Sequence, residues 1–361
     1  MKTNNKPLYY ILFVAIFAIL LPAAYLSGLL SINTISIWGR YFCFAIAALG
    51  IDLIWGYTGI LSMCQAFFFC LGSYGIAMHL VLQKTSLPDF MAWNKITELP
   101  FFWQPFHNAG VTFALCLIIP ALFAFLIGYV LFRSRIRGVY MAIITQALTL
   151  AMWLLFLRNE TNLGGTNGLT DFKTLLGFDL SSAQVKLSLY LVSFAVLCLA
   201  YIACHRITRS KFGKVLQAIR DSESRVSFTA YKTANFKLAV FVLAALLAAV
   251  GGMLYLPQTG IITPGRMDVK ASVEMVMWVA LGGRGNLKGA VIGALLVNFL
   301  YSLCTSWFPD SWLFILGFLF VLTVLYFDKG LIGLVATVRQ RIPGLHFKTS
   351  QTTNRYVADS K

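Results

Sequence analysis

Long, uninterrupted apolar runs constrain the fold of this chain more than any other feature of its sequence. A helix needs about 20 largely apolar residues to cross a bilayer, because unpaired backbone groups are not tolerated in hydrocarbon. The runs are continuous and do not alternate with a period of two, which excludes the strands of a membrane β-barrel. They predict an all-α membrane domain with about ten spanning helices, at residues 9–28, 37–55, 59–82, 110–132, 138–157, 186–205, 237–256, 270–282, 290–307 and 311–327.

Two of these runs have an alternative interpretation. Residues 9–28 follow two lysines and so resemble the start of a cleaved signal peptide. The run is too long for one, however, and 21LPAAYLSG28 is a poor cleavage site, so we interpret it as a retained span. Residues 270–282 are short and flanked by glycine, a pattern that is also typical of a half-helix or a re-entrant segment.

The composition supports a membrane protein. Hydrophobic residues make up 59% of the 361 residues, whereas Asp, Glu, Lys and Arg make up only 12%. An ordinary soluble domain has about a quarter of charged residues, so a soluble enzyme, a disordered protein and a disulfide-stapled secreted domain are excluded. No loop exceeds about thirty residues, and a stable soluble domain usually needs at least about fifty. Residues 1–361 are therefore predicted to form a single transmembrane domain.

Lysine and arginine are distributed unequally between the two sides of the predicted membrane. With the N-terminus inside, 21 of the 29 basic residues fall on the cytoplasmic side and 8 on the other, which predicts that both termini face the cytoplasm. The net charge of +16 is thus a topology signal that requires no nucleic-acid partner. This topology gives a periplasmic insertion, a periplasmic Gly-rich loop, a long cytoplasmic loop and a basic cytoplasmic tail, at residues 83–109, 158–185, 206–236 and 329–361.

The motifs of common catalytic and cofactor chemistry are missing from the sequence. It has no two-His metal spacing, no CxxC pair, no GxxxxGK[ST] phosphate loop and no Ser, His and Asp cluster, so we expect neither an enzyme nor a bound metal or cofactor. The seven cysteines are interpreted as small apolar packing residues. Few ionisable residues lie within the spans, chiefly Asp52, His79 and Glu274, whereas ion-coupled carriers usually have several intramembrane carboxylates. Any energy source is therefore expected outside this chain.

The cytoplasmic loop 206–236 is long, basic and helical in pattern. Phe212, Val215, Leu216 and Ile219 form an apolar stripe along one helix face. A second short helix is predicted to begin at Asp221, whose carboxylate would cap it. One interpretation is an amphipathic helix on anionic lipid headgroups, and the other is an element that docks on a cytoplasmic motor protein. The helix–break–helix pattern with acidic residues at the break favours docking.

This loop resembles the coupling motif of the permease subunits of ABC importers for branched-chain amino acids. Three further stretches agree with that family, and together they span residues from about 50 to 333: 56GYTGILS62, 133RSRIRGVYMAIITQALT149 with 164GGTNGLTDF172, and 277MWVALGGRGNLKGAVIGA294. The resemblance implies a non-catalytic permease in the inner membrane. It would pair with a second permease, two cytoplasmic ATPases and a periplasmic substrate-binding protein. The implied ATPase-coupling residues are Phe212, Gly213, Ala218, Arg220, Asp221, Glu223, Arg225 and Tyr231.

Within the family, the details resemble the urea branch and the second of its two permease subunits. The stretches that carry this finer resemblance are 87LPDFM91 with 98ELPFFW103, 143IITQALT149, 158RNETNLGGTNGLTDFKTLLGFDL180, 256LPQTGIITPG265 and 278WVALGGRG285. Two sites depart from the family pattern. Met63, Cys64 and Gln65 follow the Leu-Ser where relatives often carry Gly-His, and Ala230 replaces the Gly that precedes the Tyr of the coupling loop.

A path for a small neutral solute such as urea needs hydrogen-bonding groups without fixed charge. Thr145 and Thr149 lie one turn apart on one face of the fifth span, and Gln146 is adjacent. Such residues also hydrogen-bond between membrane helices simply to hold them together, so a structural role is the alternative for each. The predicted substrate-pathway residues are Gln65, Thr145, Gln146, Thr149, Asn167 and Asn298.

Glycines mark two further predictions. Gly164, Gly165 and Gly168 in the outer loop favour an outer gate, with a plain turn as the alternative. Gly289 and Gly293 form a GxxxG step for close helix packing, inside the chain or against a partner permease. The aromatic insertion before the fourth span is typical of an interfacial belt and could also serve as a platform for the binding protein.

Three rival functions remain open at this point. A permease for branched-chain amino acids belongs to the same class, and its zwitterionic cargo would need balanced polar contacts at both ends. A stand-alone urea or amide channel, or a secondary carrier, is the alternative from a different class. An intramembrane enzyme is the most distant alternative, since no nucleophile, base or metal set is visible.

Overall fold

The computed structural model is almost entirely helical. It describes residues 15–84, 87–93, 96, 98–134, 136, 138–170, 172–175, 177–229 and 231–307, together with the single positions 311, 314, 317, 318, 321, 330 and 333. A π-helical turn, Ile16–Leu20, leads into the short helix α1, Leu21–Leu26. The remaining helices are α2 Ile32–Thr58, α3 Gln65–Lys84, α4 Asp89–Trp93, α5 Ala109–Arg133, α6 Val139–Leu157, α7 Ala183–Arg209, α8 Lys211–Ser227, α9 Thr233–Thr259, α10 Val269–Gly282 and α11 Leu287–Trp307. Short 3-10 turns lie at Gln104–His107, Asn159–Thr161, Gly165–Asn167 and Pro264–Met267, and a small hairpin pairs β1, Thr174–Leu175, with β2, Phe178–Asp179.

Seven helices in the described part of the chain are long and apolar enough to cross a membrane: α2, α3, α5, α6, α7, α9 and α11. They match seven of the ten predicted spans. Of the first predicted span, residues 9–14 lie outside the described part of the chain, and helix is seen over Ile16–Leu26. Helix α10 has 14 residues, about 21 Å at the rise of an α-helix, which is shorter than the hydrocarbon core. The tenth span and the basic tail fall almost wholly outside the described residues. A count of ten, with both termini inside, therefore stays a prediction.

Two predicted boundaries were wrong for physical reasons. The second span begins earlier than predicted, at Ile32, because the Ser31 hydroxyl caps the helix by accepting from the Thr34 N–H at 3.3 Å. The third span does not begin at residue 59. Gly59 ends α2 in the left-handed region, φ 74°, and helix resumes only at Gln65.

The centre of the bundle is formed by α2 and α3, which are buried along most of their length. Helix α9 packs against α2, α3 and α5, while α7 and α11 pack against α2. Glycine permits close approach between these helices: for example, a Cβ added at Gly50 of α2 would lie 2.8 Å from the Ala244 carbonyl oxygen of α9. Apolar side chains on the outer faces of α5, α6 and α7 are exposed, as expected for surfaces that face lipid.

The connections gather at two opposite ends of the bundle. The hairpin end holds the β1–β2 hairpin and the segments at residues 98–108, 158–170, 177–182 and 260–268. There the Trp103 Nε1–H donates to the Asn162 carbonyl at 3.2 Å, and Leu169 and Ile262 exchange two main-chain hydrogen bonds of 2.9 and 3.0 Å. The α8 end holds α8, the described residues Ser134, Ile136 and Gly138 of the connection from α5 to α6, and the segment 283–286. Which end faces the cytoplasm stays the prediction drawn from lysine and arginine.

Candidate functional site

Helix α8 forms most of the loop that was predicted to couple to a motor protein. Ser210 caps the helix by accepting from the Gly213 N–H at 3.4 Å. Leu216 and Ile219 are buried, so the predicted apolar stripe faces the bundle. Within α8 the backbone leaves helical geometry at Ser222, φ −163° and ψ 93°, which produces a helix–break–helix arrangement. The sequence placed this break one residue earlier.

Gly213 is required by the tight turn that precedes α8. The glycine is buried, and a Cβ added there would lie 2.5 Å from the carbonyl oxygen of Ile207. Only one residue separates α7 from α8, so the two helices meet at a sharp corner. Gly213 therefore shapes the loop from inside the bundle and offers no surface of its own.

The charged residues of α8 face in two directions. The Arg220 guanidinium donates to the Gly56 carbonyl at 2.8 Å and to the Asp221 carboxylate at 3.1 Å. Asp221 thus accepts from its neighbour, and no cap by its carboxylate on the second helix is seen among the described contacts. Glu223 is paired with Lys237 of α9 at 2.5 Å and accepts a hydrogen bond from the Thr233 hydroxyl at 3.2 Å.

The outer surface of the loop combines polar and aromatic groups. The predicted residues exposed there are Ala218, Asp221, Arg225 and Tyr231, and Arg220 is also exposed although its guanidinium reaches Gly56. Phe228 was missed by the sequence reasoning, yet its side chain is 89% exposed, which is unusual for a phenylalanine outside a lipid-facing span. The signal available was an aromatic residue just beyond the end of an amphipathic helix. Ala230 lies outside the described residues.

A buried carboxylate joins the loop between α10 and α11 to the last turns of α2. Asp52 is fully buried, and its carboxylate accepts from the Gly285 N–H at 2.6 Å. A Cβ added at Gly56 would collide with this carboxylate and with Gly285. Because Arg220 binds the carbonyl of that same Gly56, α8, α2 and the 283–286 loop converge on one junction.

A cleft of about 280 Å³ opens beside this junction. It lies between the end of α2, the connection from α5 to α6, and the break in α8. The residues that line it are Thr58, Gly59, Ile60, Phe132, Ile136, Gly138, Met141, Ile219, Arg220, Asp221, Ser222, Glu223 and Lys237. The cleft separates α8 from the body of the bundle on one side, which leaves α8 attached mainly through its apolar stripe, the hydrogen bond from Arg220 to Gly56 and the Glu223–Lys237 ion pair.

Two of the predicted pathway residues, Thr145 and Thr149, meet the main chain at Met63 in the non-helical segment before α3, and Gln65 and Gln146 lie within two residues of this contact in sequence. The Thr145 hydroxyl oxygen accepts a hydrogen bond from the Met63 N–H at 3.0 Å, and the Thr149 hydroxyl donates one to the Met63 carbonyl at 3.3 Å. These bonds satisfy backbone groups that no helix satisfies. Gln65 and Gln146 flank this contact, and neither side-chain amide has a hydrogen-bond partner although its polar atoms are buried.

The other two predicted pathway residues lie elsewhere. Asn167 is exposed in the 3-10 turn Gly165–Asn167 at the hairpin end. Asn298 lies on α11, which packs against α2 and α10, and its side-chain amide donates to the Ala294 carbonyl of its own helix at 2.8 Å. The structure therefore brings Thr145 and Thr149 together at Met63 and does not join these two asparagines to that contact.

The glycines predicted to form the gate and the helix-packing step lie where a larger side chain would not fit. Gly164, Gly165 and Gly168 all have positive φ, and a Cβ at Gly168 would lie 2.7 Å from the Cα of Thr263. The outer loop is thus fastened to the segment before α10, whether or not it acts as a gate. Gly289 and Gly293 face α10 of the same chain, where a Cβ at Gly293 would lie 2.8 Å from the Cα of Gly282.

Fold and site together define a class. The described part of the chain has seven apolar helices of spanning length, a basic amphipathic element at one end, and buried uncharged polar groups between helices. Within the described residues, no group of three or more His, Cys, Asp or Glu is placed to hold a metal ion. These features are typical of a multi-pass membrane transport component.

Comparison with known proteins identifies the family. The family model for the branched-chain amino acid transport system permease component matches residues 33–324, and the chain belongs to this family. It is therefore a transport component and not an enzyme, and it is a multi-pass inner-membrane protein. No solved structure matches the chain significantly.

Several permeases share most of their length with this chain. LivM of Escherichia coli K12, a high-affinity branched-chain amino acid transport system permease protein, is 24% identical over 341 residues, which cover 87% of this chain and 73% of LivM. The probable branched-chain amino acid transport permease LivM of Methanocaldococcus jannaschii is 25% identical, with 83% and 93% covered. BraD of Pseudomonas aeruginosa is 23% identical, with 84% and 94% covered.

Proposed function

We propose that this chain is a permease subunit of an ABC importer and that α8 is the element through which separate ATPase subunits drive it. The observation that carries the proposal is the two-sided construction of α8. Its inner side is fixed to α2 and α9 by Arg220 and by the Glu223–Lys237 pair. Its outer side presents the exposed residues Ala218, Asp221, Arg225, Phe228 and Tyr231, and this set is the docking face of the proposal.

The proposed assembly contains a second permease, two cytoplasmic ATPases and a periplasmic binding protein. ATP binding closes the ATPase pair and displaces α8. The junction of Asp52, Gly56 and Gly285 carries that displacement into α2 and into the hairpin of α10 and α11. The exchange between inward-open and outward-open states is then a shift of populations that ATP binding biases.

The cargo we propose is a small, neutral, hydrogen-bonding solute, with urea as the leading candidate. The support is the chemistry of the groups beside Met63, which are amides and hydroxyls without charge. Branched-chain amino acids are the second candidate, and the names of the relatives favour them. Uptake of labelled urea in the presence of excess leucine distinguishes the two: leucine leaves urea uptake unchanged if urea is the cargo.

The docking face is tested by a matched pair of substitutions. Phe228→Ala removes an aromatic ring that is 89% exposed at the α8 end, and Phe101→Ala removes one that is 83% exposed at the hairpin end. The proposal expects only Phe228→Ala to reduce co-purification of the ATPase in mild detergent, because aromatic anchors dominate interface energies. Equal co-purification of both variants, or none with the native chain, would contradict it.

A further inference from the structure

We infer that the corner between α7 and α8 binds the headgroup of an anionic phospholipid through a basic patch formed by Arg206, Arg209, Lys211 and Lys214. All four residues are exposed. The inference goes beyond the proposed function, because it concerns the lipid around the protein and depends neither on the cargo nor on the ATPase. It gives the two parts of α8 different partners: lipid for the first turn, and the ATPase for the docking face.

The first observation is that α7 has a lipid-facing stripe that ends in arginine. Exposed residues on one face of α7 recur every three or four positions, as the residues of a single helix face do. The apolar members Leu199 and Ile202 are 65% and 46% exposed, and Arg206 follows Ile202 one turn later. An arginine at the end of such a stripe extends its guanidinium to the headgroups of the lipids whose chains cover the stripe. The stripe consists of Val192, Ala195, Leu199, Ile202, Arg206 and Arg209.

The length of α7 places Arg206 at the boundary of the hydrocarbon. Lys186 is the basic residue near the other end of α7, and no Asp, Glu, Lys or Arg lies between Lys186 and Arg206. At the rise of an α-helix these two residues are about 30 Å apart, which is the thickness of the hydrocarbon core. Arg206 therefore lies at the level of the headgroups at the α8 end.

The first turn of α8 lies beside the last turn of α7. A Cβ added at Gly213 would lie 2.5 Å from the Ile207 carbonyl oxygen, so the two main chains are in contact there. Lys211 and Lys214 are on either side of this glycine in the sequence, and the contact therefore holds them close to the two arginines of α7. The basic patch is thus a single surface that two helices form together.

Acidic residues are missing from the stretch that carries the patch. The sequence has no Asp or Glu from residue 181 to residue 220. In the described part of the chain, the ion pairs at the α8 end join Asp221 to Arg220 and Glu223 to Lys237, and neither includes a residue of the patch. Positive side chains in the first turn of α8 also oppose the helix dipole. An anion from outside the chain would therefore relieve the repulsion among these four charges.

A phospholipid is the anion that fits this position. Arginine binds a phosphate through two parallel hydrogen bonds, and lysine binds it as a point charge. A free phosphate would contact the patch alone, whereas a phospholipid also covers the apolar side chains of Leu199 and Ile202, which precede Arg206 by one to two turns. Phosphatidylglycerol should bind more tightly than phosphatidylcholine, because the patch repels the cationic choline group and attracts a headgroup with net negative charge.

Lipid binding to the full-length chain tests the inference. The chain is purified in mild detergent, stripped of lipid, and titrated with phosphatidylglycerol or with phosphatidylcholine of the same acyl chains, while native mass spectrometry counts the bound lipid. In Arg206→Gln with Arg209→Gln, we expect about 30-fold weaker binding of phosphatidylglycerol, since each basic residue near an anionic surface contributes about fivefold. Binding of phosphatidylcholine should not change. Arg206→Lys with Arg209→Lys keeps both charges and should retain the preference.

The matched control is Arg133→Gln with Lys232→Gln, which removes two exposed charges from other parts of the α8 end. Its affinity for phosphatidylglycerol should equal that of the native chain. An equal loss in this control, an equal loss for both lipids, or unchanged lipid binding in Arg206→Gln with Arg209→Gln would overturn the inference. In the last case, weaker co-purification of the ATPase would show that the patch is a protein-docking surface.

Cross-linking in vesicles locates the site independently of affinity. Phosphatidylglycerol with a diazirine on its headgroup is irradiated with the native chain, and mass spectrometry maps the adducts. We expect adducts between residues 199 and 217, and an excess of glycerol phosphate should not suppress them, because it lacks the acyl chains. Adducts confined to other parts of the chain, or their suppression by glycerol phosphate, would overturn the inference.

Discussion

The ion pair between Lys237 and Glu223 offers the sharpest test of how α8 is held. Their side chains are only 10% and 21% exposed, with the charged atoms 2.5 Å apart. Breaking a buried pair by removing one partner costs about 3–5 kcal/mol, because the other charge is left without compensation. Partial exposure places this pair at the lower end, about 3 kcal/mol. Glu223→Gln should therefore destabilise the segment after the break in α8 by about that amount.

Hydrogen exchange measured by mass spectrometry reads this effect locally. Amides exchange through local opening, so about 3 kcal/mol corresponds to exchange about 100-fold faster in the peptide covering residues 223–229. Removing the charge of Lys237 as well should restore part of the lost stability, because no unpaired charge is then left buried. In Glu223→Gln with Lys237→Met, we expect a recovery of at least 1 kcal/mol relative to Glu223→Gln alone.

The matched control for this experiment is Arg225→Gln, which removes an exposed charge from the same segment. It should change exchange by less than about threefold, since exposed charges contribute little to stability. Exchange in Glu223→Gln that is no faster than in this control would refute the reasoning. It would mean that the Glu223–Lys237 pair does not hold α8 and that Glu223 is available for docking, as the family resemblance implied.

Two further substitutions test the junction and the contact at Met63. Gly56→Ala should lower stability by about 1–3 kcal/mol and reduce uptake, because the new methyl group collides with the Asp52 carboxylate and the Gly285 main chain. The control is Gly265→Ala, where the added Cβ would lie 3.6 Å from its nearest neighbour. Both variants are compared by thermal denaturation, and equal melting temperatures would contradict the junction. Thr145→Val should lower the free energy of unfolding by about 1–3 kcal/mol, because it leaves the Met63 N–H without a partner. The control Thr305→Val should lower it little, since the Thr305 hydroxyl bonds only its own helix in the described contacts. A smaller loss at 145 than at 305 in denaturant unfolding would contradict the proposed role of the Met63 contact.

Much of the fold could be predicted from the sequence because hydrophobicity over 20 residues is a strong local signal. Seven of the predicted spans coincide with helices of spanning length. The same signal failed between Gly59 and Gln65, where the chain is apolar but not helical. Hydropathy indicates whether a segment can be buried in an apolar environment, but it does not determine the backbone conformation of that segment. The non-helical main chain there is hydrogen-bonded at Met63 by the hydroxyls of Thr145 and Thr149, more than 80 residues away.

In the candidate site, too, the features set by local sequence could be predicted and those set by distant contacts could not. The amphipathic stripe and the break in the coupling loop are local patterns, so the sequence showed them. The partners of the charged residues are not local: Glu223 pairs with Lys237 on the next helix, and Arg220 reaches Gly56 across 164 positions.

The central claim is that ATPase subunits act through α8 to drive transport and that this chain alone carries no solute. Solute uptake into liposomes tests it most directly, with labelled urea and leucine, for the chain alone, for the full complex without ATP, and for the full complex with ATP. We expect uptake only in the third preparation, and its loss when Phe228 is replaced by alanine. Uptake by the chain alone, at a rate that ATP and the partner subunits leave unchanged, would contradict the claim.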